Sequence, residues 1–547
     1  MTDLKYNQHE IGRRRTFAII SHPDAGKTTL TEKLLLFGGV IQLAGAVRAK
    51  RGRANAVSDW MEMERERGIS ITTSVLQFPY QGLQMNLLDT PGHADFSEDT
   101  YRTLHAVDGA VMLLDSAKGV ESQTRKLFRV CKHRSIPVFT LVNKMDRPGR
   151  DPFDLVGEVE SILGIGVFPI TWPVFRTGIF RGIYQRIARR VYLFDEGPAR
   201  SSASRGADVA PFKIYGVDDP ALRRNLDQAG YKQLQDDVEL LDIAGDEFDR
   251  RRFEAGEISP MFFGSAINNF GLGTFLESFC DLMPPPGSRR TNTGTILATE
   301  TEFSGFVFKI QANMNRAHHD RLAFLRICSG RFHRGMKVHH VRSGRDIRLA
   351  NPAIFLAQER SLVNEAFAGD VIGVFDTGIF EIGDTLTEGS KFEFEKIPSF
   401  APEHFARLVG LDPMRRKQLT RGVEQLAQEG TVQLYRPPRG RAGEIILGAV
   451  GELQMEVTKY RLQNEYGVNV RLERLDYQMA RWVSPKSGKA LDLETLRREC
   501  SGLVVLDLRN RPVVLFERDW AVGLAEERLP DVAFAETAQG VVVRDGQ

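Results

Sequence analysis

Short apolar runs alternate with segments of helical periodicity over residues 15–283. The runs of strand length lie at residues 15–20, 85–88, 110–114, 138–142 and 261–263. After the first run, Leu30, Leu34 and Phe37 recur at helical spacing. Apolar strands that are connected by helices are typical of a parallel sheet covered on both faces. The pattern therefore predicts an α/β fold for this part of the chain.

The pattern changes at two linkers, 284–294 and 396–402, which are rich in proline and polar residues. Between the linkers, short β patterns and glycine turns predict a small β-barrel. Beyond the second linker, Leu453, Val457 and Tyr460 share one helical face within a mixed α+β pattern. The predicted domains are an α/β domain at residues 1–285, a β-barrel domain at 293–392 and an α+β domain at 393–547.

Composition and charge narrow the class of protein. The chain of 547 residues is too long for one hydrophobic core. Because its formal charge is only +2, any nucleic acid would have to bind at local basic patches. Its cysteines, Cys131, Cys280, Cys328 and Cys500, are scattered, which argues against disulfides or a zinc site and fits a reducing cytosol. No segment has the apolar pattern of a signal peptide or a membrane span. We therefore expect a cytoplasmic protein without a membrane partner.

The segment SHPDAGKT, residues 21–28, lies between the first predicted strand and its helix. It matches the phosphate-binding pattern G-x-x-x-x-G-K-[ST] except at Ser21, a departure that taken alone also suits an ordinary turn. Gly26 lets backbone N–H groups approach phosphate, Lys27 reaches the terminal phosphates and Thr28 holds Mg²⁺. The expected nucleotide contacts here are Ser21, His22, Pro23, Asp24, Ala25, Gly26, Lys27, Thr28 and Thr29.

The motif DTPGH, residues 89–93, directly follows another predicted strand. A carboxylate at such a strand end orients the Mg²⁺ shell of nucleotide-binding proteins, a role we expect for Asp89. Gly92 lets a backbone N–H face the γ-phosphate, and His93 is placed to position an attacking water. In isolation His93 would be an ordinary turn histidine, and its neighbours favour the catalytic interpretation. The expected contacts are Asp89, Thr90, Pro91, Gly92 and His93.

The motif NKMD, residues 143–146, predicts that the base is guanine. The two oxygens of Asp146 match the adjacent N1–H and N2 amino donors of guanine, which adenine lacks. Asn143 ties the loop, and the stem of Lys144 can lie on the base. Downstream, the segment GSA at 264–266 can offer a backbone N–H to guanine O6. The expected base contacts are Asn143, Lys144, Met145, Asp146, Ser265 and Ala266.

Three further segments complete the predictions from the sequence. The charged stretch at 59–71 would normally be a solvated face, but it lies where a GTPase has its first switch. Ser70 is therefore expected to bind Mg²⁺ when the γ-phosphate is present.

The connection from Asp146 to Gly264 is longer than a minimal crossover between two strands, which predicts an inserted subdomain at about 160–258. Arginine mixed with tyrosine and phenylalanine at 181–194 suits either a nucleic-acid face or β-strands with a basic exposed side.

These motifs carry a family resemblance, together with SDWMEME (58–64), RGISITTS (67–74), FVFKIQANM (306–314) and QLY (433–435). The chain resembles the translational GTPases, a ribosome-associated family that includes elongation factors Tu and G. Ser21 and Ser70, where most relatives have Gly and Thr, are similar to the release factor three branch. The segment GAVGELQM at 448–455 looks like a third-domain motif of the elongation factor G group, and Glu452 departs from the release-factor pattern.

The resemblance implies a ribosome-stimulated GTPase of translation termination. Such a protein promotes GTP-dependent departure of codon-reading class I release factors after peptide release, without reading stop codons. The implied partners are the ribosome, these factors and GTP or GDP with Mg²⁺. Asp24 is expected to help hold a monovalent cation, Lys27 to neutralise phosphoryl charge, and His93 to act once the ribosome places it. A monomer is expected.

Three other functions remain open from the sequence. The nearest is an elongation factor G-like or ribosomal-protection GTPase. A P-loop kinase or metabolic enzyme with β appendages is a second, although the guanine motif at 143–146 argues against it. The third is a scaffold that binds nucleotide without hydrolysing it, which an absence of ribosome-stimulated phosphate release would favour.

Overall fold

The computed structural model describes residues 3–39, 71–194, 212–243, 247–312, 321–349, 352–356, 359–397, 400–438, 444–486 and 492–537. The expected switch residue Ser70 and most of the charged segment around it lie outside these residues.

A seven-stranded sheet with the order β2-β3-β1-β4-β5-β7-β6 organises the first region. Its strands are β1 (Arg14–Ser21), β2 (Ser74–Tyr80), β3 (Leu83–Asp89), β4 (Gly109–Asp115), β5 (Val138–Asn143), β6 (Gly166–Pro169) and β7 (Ile258–Phe263). Strand β2 is antiparallel to β3, and the other neighbours pair in parallel. The apolar runs thus form one mainly parallel sheet, which confirms the predicted α/β fold.

Helices cover both faces of this sheet. They are Lys27–Phe37, Ser97–His105, Ser122–His133, Pro152–Leu163, Arg250–Glu254 and Leu272–Leu282, with a 3₁₀ turn at Ala94–Phe96. The first helix, Asp3–Gly12, instead packs through Ile11 against Phe367. Successive side chains of β1 enter opposite clusters, because strand residues alternate between faces. Ile19 packs in a cluster with Phe279, and Ile20 in a separate cluster with Phe128. The core therefore lies in two apolar layers, one on each side of the sheet.

The carboxyl ends of four strands collect the sequence motifs at one edge of the sheet. Strand β1 ends at Ser21, β3 at Asp89, β5 at Asn143 and β7 at Phe263. Backbone pairing places Ile19 opposite Asp89, in register across β1 and β3. Ligands of open α/β sheets bind outside the carboxyl ends of the strands. The fold therefore brings motifs that are far apart in sequence to a common edge.

A separate antiparallel unit lies in the chain between β6 and β7. It comprises strands Thr171–Arg176, Ile179–Gln185, Arg190–Phe194 and Phe212–Gly216, with helices Pro220–Asn225 and Gln228–Ile243. Trp172 is buried there, and its Nε1 donates to Asp237 Oδ2 at 2.9 Å. Tyr184 is also buried, whereas Arg189 and Arg190 are exposed. This arrangement favours β-strands with a basic exposed side over an aromatic nucleic-acid face.

The second domain is antiparallel β structure preceded by a short ribbon, Arg289–Thr291 with Gly294–Ile296. Its strands are Ser304–Ala312, Arg321–Ser329, Arg331–His333, Lys337–His340, Arg345–Arg348, Ala353–Leu356, Glu359–Leu362, Glu365–Phe367, Val371–Phe375 and Thr385–Thr387. Eight of them form one sheet and two pair as a ribbon. Val307, Leu325 and Ile372 belong to one buried cluster, which gives this domain its own core, as the β pattern predicted.

In its described residues, the C-terminal region combines one eight-stranded antiparallel sheet with four helices. The strands are His404–Gly410, Gln433–Arg436, Ile445–Ala449, Val470–Leu475, Met479–Pro485, Leu503–Asp507, Pro512–Phe516 and Val532–Ala535. The helices are Arg416–Gln428, Glu452–Asn464, Leu493–Glu499 and Asp519–Arg528, with a 3₁₀ turn at Pro413–Arg415. Within the described part of the chain, no helix has the length and apolar character needed to cross a membrane.

Buried polar contacts join the first domain to the second. Asn86 Nδ2 lies 3.3 Å from Asp370 Oδ1, and Arg14 Nε lies 3.2 Å from Asp370 Oδ2. Gln77 Nε2 also donates to the Val371 carbonyl at 2.9 Å. Because unpaired buried polar groups are costly, these contacts favour one relative orientation of the two domains.

Candidate nucleotide site

The loop after β1 has the backbone of a phosphate-binding turn. Gly26 has φ +100°, and a Cβ added there would lie 2.4 Å from Asn143 Nδ2. Glycine is therefore required both for the left-handed backbone and for the close approach to Asn143. Asp24 also has positive φ, 66°, and its side chain is exposed. A helix begins directly after the loop, at Lys27, so the free N–H groups of its first turn adjoin the loop.

Lys27 and Asp89 form a buried pair between the loop and the end of β3. Lys27 Nζ lies 2.8 Å from Asp89 Oδ1, and the side chains are only 7% and 1% exposed. The second oxygen of Asp89, Oδ2, is buried and has no hydrogen-bond partner among the described residues. A carboxylate oxygen left in this way fits the oxygen ligands that Mg²⁺ prefers, and the half-buried Thr28 follows Lys27 in the chain.

The described residues contain no group of three or more His, Cys, Asp or Glu side chains arranged to hold a metal ion. At this edge Asp89 and Thr28 offer oxygen ligands, and nucleotide phosphates and water would complete the shell of a Mg²⁺ ion. That donor set is usual for Mg²⁺ in phosphoryl-transfer sites.

Asn143 joins the phosphate loop to the loop that follows β7. Its Nδ2 donates to the Ala25 carbonyl at 2.9 Å, and its Oδ1 accepts from the Ala266 backbone N–H at 2.9 Å. The Ser265 N–H donates to the Phe270 carbonyl at 2.9 Å. Both N–H groups of the 265–266 segment thus have partners within the protein, and a contact with guanine O6 stays a prediction.

Asp146 and Lys144 are each held by a neighbouring side chain, of which Asp115 was not predicted from the sequence. Ser265 Oγ donates to Asp146 Oδ1 at 2.5 Å. Lys144 has φ 65°, and its Nζ lies 2.8 Å from Asp115 Oδ2. Burial alone would raise the pKa of Asp115, but hydrogen bonds from Lys144 and the backbone outweigh it and lower that pKa. The available signal was the position of Asp115 at the end of β4, directly opposite Asn143.

The DTPGH segment continues from β3 into a 3₁₀ turn. Thr90 Oγ1 donates to the Ile19 carbonyl at 2.6 Å. Gly92 lies close to the phosphate loop, since an added Cβ would be 3.6 Å from Pro23 Cα. His93 is 38% exposed, and its Nδ1 accepts from the Asp95 backbone N–H at 3.2 Å. His93 therefore lies beside the loop with one ring nitrogen already engaged.

The first two residues of the phosphate motif are held differently from each other. Ser21 is buried at the end of β1, and its Oγ has no hydrogen-bond partner among the described residues. His22 Nε2 lies 3.3 Å from Glu121 Oε1, so this side chain reaches the residue that precedes the helix Ser122–His133. Pro23, Ala25, Thr28, Thr29, Pro91 and Met145 lie in the same three loops or at the helix start that adjoins them.

These positions define what the edge of the sheet can do. Backbone N–H groups, Lys27 and a helix N-terminus suit a polyphosphate, and Asp89 suits its divalent cation. Asp146 offers paired oxygens at the far end of the same edge. His93 lies on the phosphate side. The geometry matches binding and hydrolysis of a purine nucleoside triphosphate.

Three family models match successive parts of the chain. The Elongation factor Tu GTP binding domain matches residues 12–285, and Elongation factor G domain 2 matches residues 302–389. The Class II release factor RF3, C-terminal domain, matches residues 394–526.

Relatives similar to the whole chain are also known. The chain is 52% identical to the peptide chain release factor 3 of Symbiobacterium thermophilum, over 97% of this chain and 98% of the relative. It is 50% identical to that of Gloeobacter violaceus, with 97% and 98% covered, and 49% identical to that of Listeria innocua, with 96% and 98% covered. A crystal structure of a Thermus thermophilus protein matches with a TM-score of 0.67 and 22% identity, over 87% of this chain and 71% of that chain. At that identity, the structural match supports the fold alone.

Proposed function

Because the chain belongs to the peptide chain release factor 3 family of translational GTPases, we propose that it drives codon-reading class I release factors off the ribosome after peptide release. The protein is a GTPase of translation termination that interacts with the ribosome and with GTP or GDP. It would act without stop-codon specificity, as a monomer in the cytoplasm. The observation that carries the proposal is the union, in one chain, of a guanine nucleotide site and a C-terminal region matched by the release-factor model.

We assign nucleotide contacts to residues 21–29, 89–93, 143–146 and 265–266. Lys27 neutralises negative charge on the transferred phosphoryl group, and the loop N–H groups hold the phosphates in place. Thr28, Ser70 and Asp89 are the residues that would hold Mg²⁺. The ion supplies further charge neutralisation at the phosphates when it is bound.

Guanine selection is assigned to Asp146, whose Oδ1 already accepts from Ser265 Oγ. That contact fixes the carboxylate plane before the base arrives, which reduces the entropy cost of binding. An adenine base lacks the two adjacent donors that guanine offers to the carboxylate, and this loss disfavours ATP.

Asp24 is proposed to help hold a monovalent cation near the phosphates. Its exposed carboxylate and left-handed backbone, φ 66°, place an acidic group at the tip of the loop. The proposal predicts a dependence of hydrolysis on K⁺ that Asp24→Ala reduces.

His93 is assigned to positioning the attacking water, and the switch logic follows from the γ-phosphate. Ser70, as a ligand of Mg²⁺, and Gly92, at the γ-phosphate, would keep both switches ordered until hydrolysis releases them. The GTP form would bind ribosomes that hold a class I factor, and hydrolysis would let the protein leave. Free protein should hydrolyse GTP slowly because His93 requires the ribosome to be placed for reaction.

One alternative has a specific observation in its favour. The match of residues 302–389 to Elongation factor G domain 2 would also suit an elongation factor G-like or ribosomal-protection GTPase. The release-factor match at 394–526 disfavours it.

The deciding experiment is a reconstituted termination reaction with a labelled class I factor on post-release ribosomes. We expect GTP with this protein to release the label, whereas GDP or protein alone does not. Translocation of elongating ribosomes should be unaffected. Retention of the label, together with faster translocation, would favour the alternative and overturn the proposal.

A further inference from the structure

The helix Glu452–Asn464 of the C-terminal domain begins against the switch segment that contains His93. The backbone N–H of Leu453, in the first turn of this helix, donates to Asp95 Oδ2 at 2.8 Å. The first N–H groups of a helix have no partner within it, and a carboxylate there is favoured by the helix dipole. Asp95 therefore provides a cap for a helix of another domain.

The same residue supports His93. The Asp95 backbone N–H donates to His93 Nδ1 at 3.2 Å, and Asp95 Oδ1 lies 3.4 Å from that nitrogen. Asp95 thus contacts the histidine ring through its backbone N–H and the C-terminal domain through its carboxylate. Its side chain is only 19% exposed, which limits the positions it can adopt.

The fit around Asp95 is tight on the C-terminal side. A Cβ added to Gly451 would lie 2.0 Å from Asp95 Cγ and 2.3 Å from Asp95 Oδ2. Gly451 has φ −143°, an extended conformation that any residue adopts. Glycine is therefore needed here to make room for Asp95, and not for an unusual backbone.

Apolar packing holds the two segments together around this contact. Phe96, Ile71 and Val457 form a buried cluster, against which Leu453 and Tyr460 pack. Phe96 directly follows Asp95, and Val457 lies one turn along the helix that Asp95 caps. A shift of the C-terminal domain would consequently move the segment that carries His93.

We propose that Asp95 is a positioning residue through which the C-terminal domain sets the orientation of His93. Docking of the helix Glu452–Asn464 holds the Asp95 carboxylate, and the backbone N–H of the same residue holds the imidazole ring. Movement of that domain on the ribosome would then change the rate of hydrolysis. The inference rests on the proposed role of His93 in hydrolysis.

Gly451→Ala tests the link from the side remote from the nucleotide. We expect at least a tenfold fall in ribosome-stimulated kcat, with less than a twofold change in GTP affinity and in the KM for ribosomes. Gly523→Ala is the matched control, because its added Cβ meets no atom within 4 Å. Thermal melting of both variants checks that the fold is retained.

Asp95 variants complete a double-mutant cycle. Asp95→Ala should lower kcat like Gly451→Ala, and Gly451→Ala should add little in the Asp95→Ala background, because the clash with the carboxylate is gone. Asp95→Asn keeps an oxygen acceptor for the Leu453 N–H and should restore part of kcat.

The results separate this inference from the proposed function. Additive losses in the cycle would overturn the inference, and so would a Gly451→Ala variant that behaves like Gly523→Ala. If Gly451→Ala folds poorly, Asp95→Ala and Asp95→Asn still measure the same link. Full kcat in Asp95→Ala, while His93→Ala is inactive, would also overturn it. Full kcat in His93→Ala would instead overturn the proposed role of His93.

Discussion

Removal of the Asn143 side chain should weaken guanine nucleotide binding by disconnecting two loops of the site. The side chain is 3% exposed and makes one hydrogen bond to Ala25 and one from Ala266. Asn143→Ala deletes both and leaves a buried carbonyl and a buried N–H without their partner. At about 1–3 kcal/mol for each unsatisfied group, the combined loss is roughly 2–4 kcal/mol after local relaxation.

This loss of stabilisation is expected in the ordered form of the loops, which is the form that binds nucleotide. Because about 1.4 kcal/mol corresponds to a factor of ten, the Kd for GTP and GDP should rise about 30- to 700-fold. Fluorescence titration with labelled GDP measures the Kd, and thermal melting shows how much of the loss appears as instability instead. Asn225→Ala is the control, since this exposed side chain also bonds to a backbone carbonyl, that of Ala221. An unchanged Kd in folded Asn143→Ala would refute the idea that Asn143 organises the site.

Other changes should separate phosphate binding, base selection and stability. Lys27→Ala removes the partner of buried Asp89, and the loss of one member of a buried ion pair typically costs about 3–5 kcal/mol. Filter binding should show a strongly reduced affinity for GTP. Normal affinity would mean that the loop is not the nucleotide site. Asp146→Asn should shift preference from guanosine to xanthosine nucleotides in competition binding, and unchanged GTP selectivity would remove the base-recognition claim. Burial and the charge of Arg134 lower the pKa of His105 from 6.5 to about 2, so the folded state binds fewer protons and loses stability as the pH falls below 6.5. By pH 5 the loss in the free energy of unfolding is about 2 kcal/mol. His105→Gln should therefore reduce the fall in Tm between pH 7 and pH 5. An unchanged dependence of Tm on pH would contradict a buried, neutral His105.

The strands and the edge of the site were predictable because they depend on local pattern. Apolar runs before residues 21, 89 and 143 end as strands β1, β3 and β5. Parallel pairing then brings their carboxyl ends together without further information from the sequence. The helix face of Leu453, Val457 and Tyr460 was predictable for the same reason, since it needs only the helical period.

The partners of the site residues were not predictable in this way. Asp115 pairs with Lys144, and Asp95 pairs with Leu453, which is 358 positions away in the chain. Such contacts depend on how strands and domains are placed relative to one another, and neither periodicity nor a short motif contains that information. The choice of glycine at 451 illustrates the point, because only the carboxylate of another domain explains it.

The separation of nucleotide binding from ribosome-stimulated hydrolysis is tested most directly at His93. The measurement compares His93→Ala with the unaltered protein in single-turnover GTP hydrolysis on post-release ribosomes, with the Kd for GTP measured in parallel. The ring is partly exposed and contacts the Asp95 backbone at 3.2 Å, so its removal should leave the Kd within about twofold while stimulated hydrolysis falls by roughly 10²-fold or more. Retained hydrolysis, or an equal loss of affinity and turnover, would contradict the assigned role of His93.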